Sequence, residues 1–231
     1  MNKEAGMAHW ENRPEASWKK FRFNQPYNEG LKRLKEKVLT ETDFDPATLW
    51  QWGTMQAMAV IGVLKACEKA FGREGQQVVA QTLHDVGLDI GRQILKGTKK
   101  PEDMSDMEFM SFYATVINRI VYASLEKPNI DGTDKVSFDI LWCPHQDHYR
   151  AFDCRVQRYF VQGMIDAVKE YFGKDKGFQV RFDTTIPSGA ETCHFTIWRA
   201  GDSEKEEWAH FTGMLDEKAL EIARHTKKDK G

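Results

Sequence analysis

The chain of 231 residues carries 33 basic and 35 acidic side chains, a formal charge of −2. That length can bury a core without disulfide staples, and a near-neutral balance argues against nucleic acid as a partner. No apolar run approaches the ~20 residues that span a bilayer, and the opening MNKEAGMAHWENRPE lacks the apolar stretch of a secretion signal. The expectation is a cytoplasmic protein that engages neither membrane nor nucleic acid.

Residues 1 to about 26 mix charges with Trp10, Trp18, Pro14 and Pro26 and keep no period, which predicts an arm. Leu31, Leu34, Val38 and Leu39 then recur near helical spacing, a short amphipathic helix from Asn28. Asp45 reads as an N-cap and Pro46 as the first helical residue, where a missing N–H costs nothing. The Ala-, Met- and Leu-rich run from Ala47 to Phe71 predicts a central, largely buried helix ended by Gly72. Glu74 to Lys96 places Val78, Val79, Leu83, Val86, Ile90 and Ile94 on one face, with Gly87 and Gly91 permitting close helix packing. Ser105 reads as the cap of a third long helix reaching about Ile120, with Met107, Phe109, Met110 and Tyr113 inward.

The period then changes. Val121–Glu126 reads as strand or helix end, PNIDGTD as a turn, and Lys135–Pro144 as a half-buried strand through Val136, Phe138, Ile140 and Trp142. Cys154 to Phe172 predicts a helix closed by Gly173. FQVRFDTTI and ETCHFTIWR, joined by PSG, read as a hairpin, and Glu204 to Arg224 as a last helix before a charged tail. Helices first and an antiparallel sheet later make the class α+β. The expected division is an arm and short helix over 1–44, one domain over 45–225, and a tail over 226–231.

Reactive side chains concentrate in W-C-P-H-Q-D-H-Y-R-A-F-D-C, which holds Cys143, His145, Asp147, His148, Asp153 and Cys154; Cys193-His194 follows on a predicted strand. Thiolate and imidazole are ligands zinc prefers, so Cys143, Cys154, Cys193 and His148 form one candidate ligand set, although their irregular spacing is no zinc-finger pattern. The same residues serve a nucleophilic reading, in which Cys154 at a helix N-terminus gains from the macrodipole. Plain packing is the bland alternative for each cysteine, and Cys67, on an apolar helix face, reads as core. His145 and His148 could equally be loop imidazoles, and His84, Asp85 and Asp89 read as solvated or interhelical contacts. The stripe of Met55, Met58, Met107, Phe109, Met110 and Phe112 reads as core or as the wall of an apolar ligand cavity. No phosphate-binding glycine loop and no G-x-S-x-G elbow occurs.

Cys143-Pro144, then Cys154 with Gly163 nine residues on, then Thr185-x-x-x-Gly189-x-x-x-Cys193-x-Phe195, resembles the L-2-amino-thiazoline-4-carboxylic acid hydrolase family. That family is similar to 4-vinyl reductase-type ligand-binding domains, whose fold resembles subunits of the TRAPP complex. The resemblance spans about residues 45–200 and implies a helical layer on an antiparallel sheet. It implies further a hydrolase opening a C–N bond of a small cyclic amidine or amide. Catalysis would fall to Cys143, Cys154, Cys193, His145 and His148, through a thiolate or the water on a divalent metal such as zinc. One departure stands out: the third residue after the middle cysteine is Gln157, where such relatives often carry an acid.

Two other readings compete. One is a non-catalytic module whose apolar pocket holds a hydrocarbon, lipid or tetrapyrrole. The other is a homo-oligomer built through the arm and the long helices. In the hydrolase and ligand-binding readings the partner is a small molecule.

Overall fold

The computed structural model describes residues 22–150, 152–173, 177–201 and 206–228. The expected arm, with Trp10 and Trp18, and the last residues of the tail lie outside the described residues. Among those described, the order is α1 (Asn28–Lys37), α2 (Ala47–Phe71), α3 (Arg73–Leu95), α4 (Asp106–Val121), β1 (Leu125–Asp131), β2 (Lys135–Trp142), α5 (Arg155–Phe172), β3 (Phe178–Phe182), β4 (Cys193–Arg199) and α6 (Glu207–Lys228). The class is α+β, as the order of periods predicts.

The strands form one antiparallel sheet in the order β1-β2-β4-β3. α4 lies against β1 and β2, while α3 and α5 pack along one another behind it. Phe138 of β2 and Phe195 of β4 are register partners whose rings stack at 4.8 Å. They join Met107, Phe109, Met110 and Phe112 of α4 and Met164 and Val168 of α5 in the main core. A smaller core gathers Ile61, Leu64, Leu83, Tyr149, Val156 and Tyr159 where α2, α3 and α5 meet.

Local chemistry explains several boundaries. Asp45 Oδ1 accepts the Ala47 amide at 2.9 Å just ahead of α2. Ser105 and Glu108 close a reciprocal capping box at the start of α4, Oγ accepting the Glu108 amide at 3.1 Å and Glu108 Oε2 accepting the Ser105 amide at 2.7 Å. α4 ends where Ala123 turns left-handed at φ 47°, a conformation uncommon for a residue with a side chain.

Two expectations need correction. PNID is not a turn but the second half of β1, Pro128 pairing opposite Phe138. β1 is an edge strand, where a residue without N–H can leave its unbonded side outward; the turn is confined to residues 132–134, with Gly132 at φ 78°. α2 is not largely buried either. Ile61, Leu64 and Glu68 are its buried residues, while Trp50, Trp52, Met55, Met58, Val63 and Phe71 are exposed. Met55 and Met58 therefore leave the expected stripe, whose other members are core.

Candidate active site

A cavity of about 490 Å³ opens where the end of β2, the loop into α5, the loop before β4 and the side of α6 converge. Cys143, Cys154, Cys193 and His145 all line it. Its volume lies within the range of small-ligand pockets.

Each thiol arrives by its own local device. Cys143 is the first residue past β2, not part of the strand, and is held in a tight turn by Gln146. The Gln146 Oε1 accepts the Cys143 amide at 3.1 Å, and the Gln146 amide donates to the Cys143 carbonyl at 3.1 Å. Cys193 opens β4 opposite Ile140 of β2, and its Sγ accepts the Ile186 amide at 3.1 Å. The intervening loop folds back because Thr185 and Ser188 share a hydroxyl–hydroxyl bond of 2.6 Å and Gly189 takes φ 95°. That is the physical content of Thr185-x-x-x-Gly189-x-x-x-Cys193.

Cys154 is the N-cap residue of α5, and the helix it heads is fixed by contact with α3. A Cβ on Gly163 would stand 2.0 Å from the His84 carbonyl oxygen, and one on Gly87 2.0 Å from the Phe160 carbonyl oxygen. Gly163 thus belongs to the site's scaffold, and Gly87 and Gly91 provide the close packing their spacing predicts. His84 also bridges these helices, its Nε2 lying 2.9 Å from Asp166 Oδ2.

The His145 ring stacks on Tyr149 at 4.9 Å and 18°. It is buried, and its Nδ1 has no hydrogen-bond partner among the described residues. Burial, and to a lesser extent electrostatic repulsion from the His148 ring, push the imidazole below its ordinary value, so it stays neutral at pH 7. Tyr149 accepts the Gln157 Nε2 at 3.0 Å; Gln157, three residues after Cys154, therefore braces the ring that His145 stacks on.

The thiols move the other way. Burial pushes Cys143 up to about 11, partly opposed by the backbone amides of His145 and Gln146. Burial pushes Cys154 up to about 12, reinforced by repulsion from Cys143 and Cys193. Cys193 is raised by burial, against the Ile186 amide. At Cys154 desolvation thus works against the thiolate that a helix N-terminus would favour.

Arg158, four residues after Cys154 and so on the same side of α5, lines the same cavity. Its guanidinium lies 4.0 Å from the Trp208 ring centroid. Nε donates to Thr212 Oγ1 at 2.9 Å and Nη2 to the Trp208 carbonyl at 3.0 Å. Burial lowers Arg158 to about 10, leaving it charged at neutral pH.

His148 is exposed and outside the cavity wall. Among the described residues, no group of three or more His, Cys, Asp or Glu side chains is placed to hold a metal ion. The zinc ligand set of Cys143, Cys154, Cys193 and His148 does not assemble: the three thiols share the wall without being placed to hold an ion together, and His148 lies outside it. Tyr122, Tyr149 and Arg158 also line the cavity and escape the sequence reading. The four-residue steps His145–Tyr149 and Cys154–Arg158 are the signals that could have found two of them.

The family described as L-2-amino-thiazoline-4-carboxylic acid hydrolase matches residues 52–197. A protein of Archaeoglobus fulgidus, itself described as uncharacterized, is 54% identical over 216 residues, covering 92% of this chain and 95% of that one. Among solved structures, a trafficking protein particle complex subunit 3 from Naegleria fowleri, covalently bound to palmitic acid, matches at TM-score 0.45 and 9% identity. It covers 66% of this chain and 98% of that chain. No helix among the described residues is long and apolar enough to cross a membrane.

Proposed function

Because the chain belongs to the L-2-amino-thiazoline-4-carboxylic acid hydrolase family, we propose that it hydrolyses a C–N bond of a small cyclic amidine or amide in the cavity walled by its cysteines. The observation that carries this reading is the shared wall: residues 143, 145, 154 and 193, distant in sequence, border one space. Cys143 is the nucleophile best supported, since it stands on the cavity wall two residues from His145, and the backbone amides of His145 and Gln146 favour its thiolate. The neutral imidazole of His145, two residues on, is the base.

In this reading the imidazole takes the thiol proton as sulfur bonds to the amidine carbon. The tetrahedral adduct collapses, the ring C–N bond breaks, and the imidazolium returns the proton to the departing nitrogen. Water then adds to the same carbon; the C–S bond breaks, and the water's proton restores the thiol. The net reaction consumes one water. Cys154 and Cys193 border the reacting atoms as part of the wall.

The decisive experiment follows ring opening of 2-amino-thiazoline-4-carboxylate and related cyclic amidines by chromatography. Cys143→Ser should retain the circular-dichroism spectrum and lose at least ~10²-fold in kcat/KM, as removal of a nucleophile does. Equal turnover by Cys143→Ser rejects the mechanism. A second reading, a non-catalytic pocket for a small apolar ligand, is favoured by the protonated state that burial imposes on all three thiols. Absence of turnover on every ring tested, together with an extractable bound molecule, would decide for it.

A further inference from the structure

The charges bordering the cavity are unbalanced. Arg158, Asp183 and Lys218 are the formally charged side chains of its wall. Asp183 is already neutralised from outside the cavity, its Oδ1 accepting Arg181 Nε at 2.8 Å. Arg158 is only 5% exposed, yet its hydrogen bonds go to two uncharged oxygens, those of Thr212 and the Trp208 backbone. Asp216 attracts it only through space and is itself engaged by the Tyr159 hydroxyl. Among the described residues, Arg158 is thus a desolvated cation with no carboxylate of its own.

Such a cation is costly unless an anion meets it. The Trp208 and Phe211 rings, 4.0 and 5.0 Å from the guanidinium carbon, stabilise its faces. Aromatic rings do not supply the in-plane oxygens that the guanidinium fork matches. We infer that Arg158 is the specificity-determining residue of the cavity and anchors the carboxylate of an otherwise compact, weakly polar ligand. Lys218 adds to the attracting field from α6 without making the directed pair. The thiols stand on the same wall, one helical turn back at Cys154, so a ligand held by its carboxylate at Arg158 presents its ring to them. The inference rests on this cavity being the reaction site proposed above, but it concerns binding and is read without turnover.

The probes are 2-amino-thiazoline-4-carboxylate and its primary carboxamide, titrated calorimetrically into the full-length Cys143→Ser protein. The two differ by one charge at nearly constant shape. The carboxylate should bind about 10- to 100-fold more tightly than the amide, the range expected of a charge-assisted pair with arginine. Arg158→Gln should bring that ratio close to one, and Arg158→Lys should keep part of it. A ratio near one while Arg158 is intact overturns the inference, as does undetectable binding of the carboxylate. So does an unchanged ratio in Arg158→Gln, or a ratio that collapses only in Lys218→Ala. Should Arg158→Gln fail to fold, the ratios in the parent and in Arg158→Lys decide the matter. Carboxylate preference without ring opening by the wild-type chain would refute the hydrolase reading and leave Arg158 as the anchor.

Discussion

A cysteine is a useful nucleophile only to the extent that it is a thiolate, and Cys143 at neutral pH is not one: burial pushes it up to about 11. The neutral pair of thiol and imidazole is therefore the resting state, and proton transfer must accompany attack. The backbone amides of His145 and Gln146 and a neutral imidazole lower the cost of that transfer in different ways, the amides by favouring the new anion, the imidazole by accepting the proton. This ordering has a chemical signature. Alkylation of Cys143 by iodoacetamide, followed by mass spectrometry, should be slow at pH 7 and rise about tenfold per pH unit to beyond pH 9. The sign follows from the raised value: each unit below about 11 cuts the thiolate fraction tenfold. A plateau reached by pH 8 would mean an already acidic thiol and a different resting state.

At the scale of elements, the site depends on how deeply α5 sinks against α3. Gly163 faces backbone atoms, the His84 carbonyl oxygen at 2.0 Å and the Leu88 amide nitrogen at 2.5 Å from an added Cβ, so no side-chain rotation can make room. Gly163→Ala should force the helices apart and cost about 3 kcal/mol, at the upper end for overpacking. It should also lower turnover, because Cys154 and Arg158 ride on the displaced helix. A urea midpoint within error of the parent would contradict the close contact. Much of this layer is legible in the residues alone: Gly87 and Gly91 sit four apart on an apolar helix face, and Ser105 and Glu108 stand at capping-box spacing. The failures are equally physical. Pro128 reads as a breaker because its tolerance depends on β1 being an edge, and sheet order is absent from local pattern. The uncharged start of α2 reads as buried because composition cannot reveal which neighbours cover it.

For the whole molecule, convergence of the thiols is a tertiary fact. Residue type and order single out Cys143, Cys154 and Cys193, but only the β2–β4 register opposing Ile140 and Cys193 brings two of the segments side by side. His145 lines the wall, whereas His148, three residues on, is exposed outside it. The third segment is tied down by a buried charge network that sequence reading overlooks. Arg155, the first residue of α5, is wholly buried, its Nη2 donating to Glu68 of α2 at 2.8 and 2.7 Å. Glu68 also accepts Gln76 Nε2 of α3 at 2.8 Å, and that amide reaches the Asp216 carbonyl of α6 at 3.0 Å. One carboxylate thereby joins four helices. It also offsets a cation at a helix N-terminus, where the macrodipole disfavours positive charge. Removing it strands Arg155, because the remaining acid, Asp153, lies at 3.6 Å and is shared with Lys65 at 2.9 Å. Glu68→Leu should therefore lose about 3–5 kcal/mol in urea denaturation. The double variant Glu68→Leu, Arg155→Met should recover most of the loss, since both charges then leave the interior together. If the single variant loses under ~1 kcal/mol, Arg155 has another counter-charge and the network does not hold α5 in place.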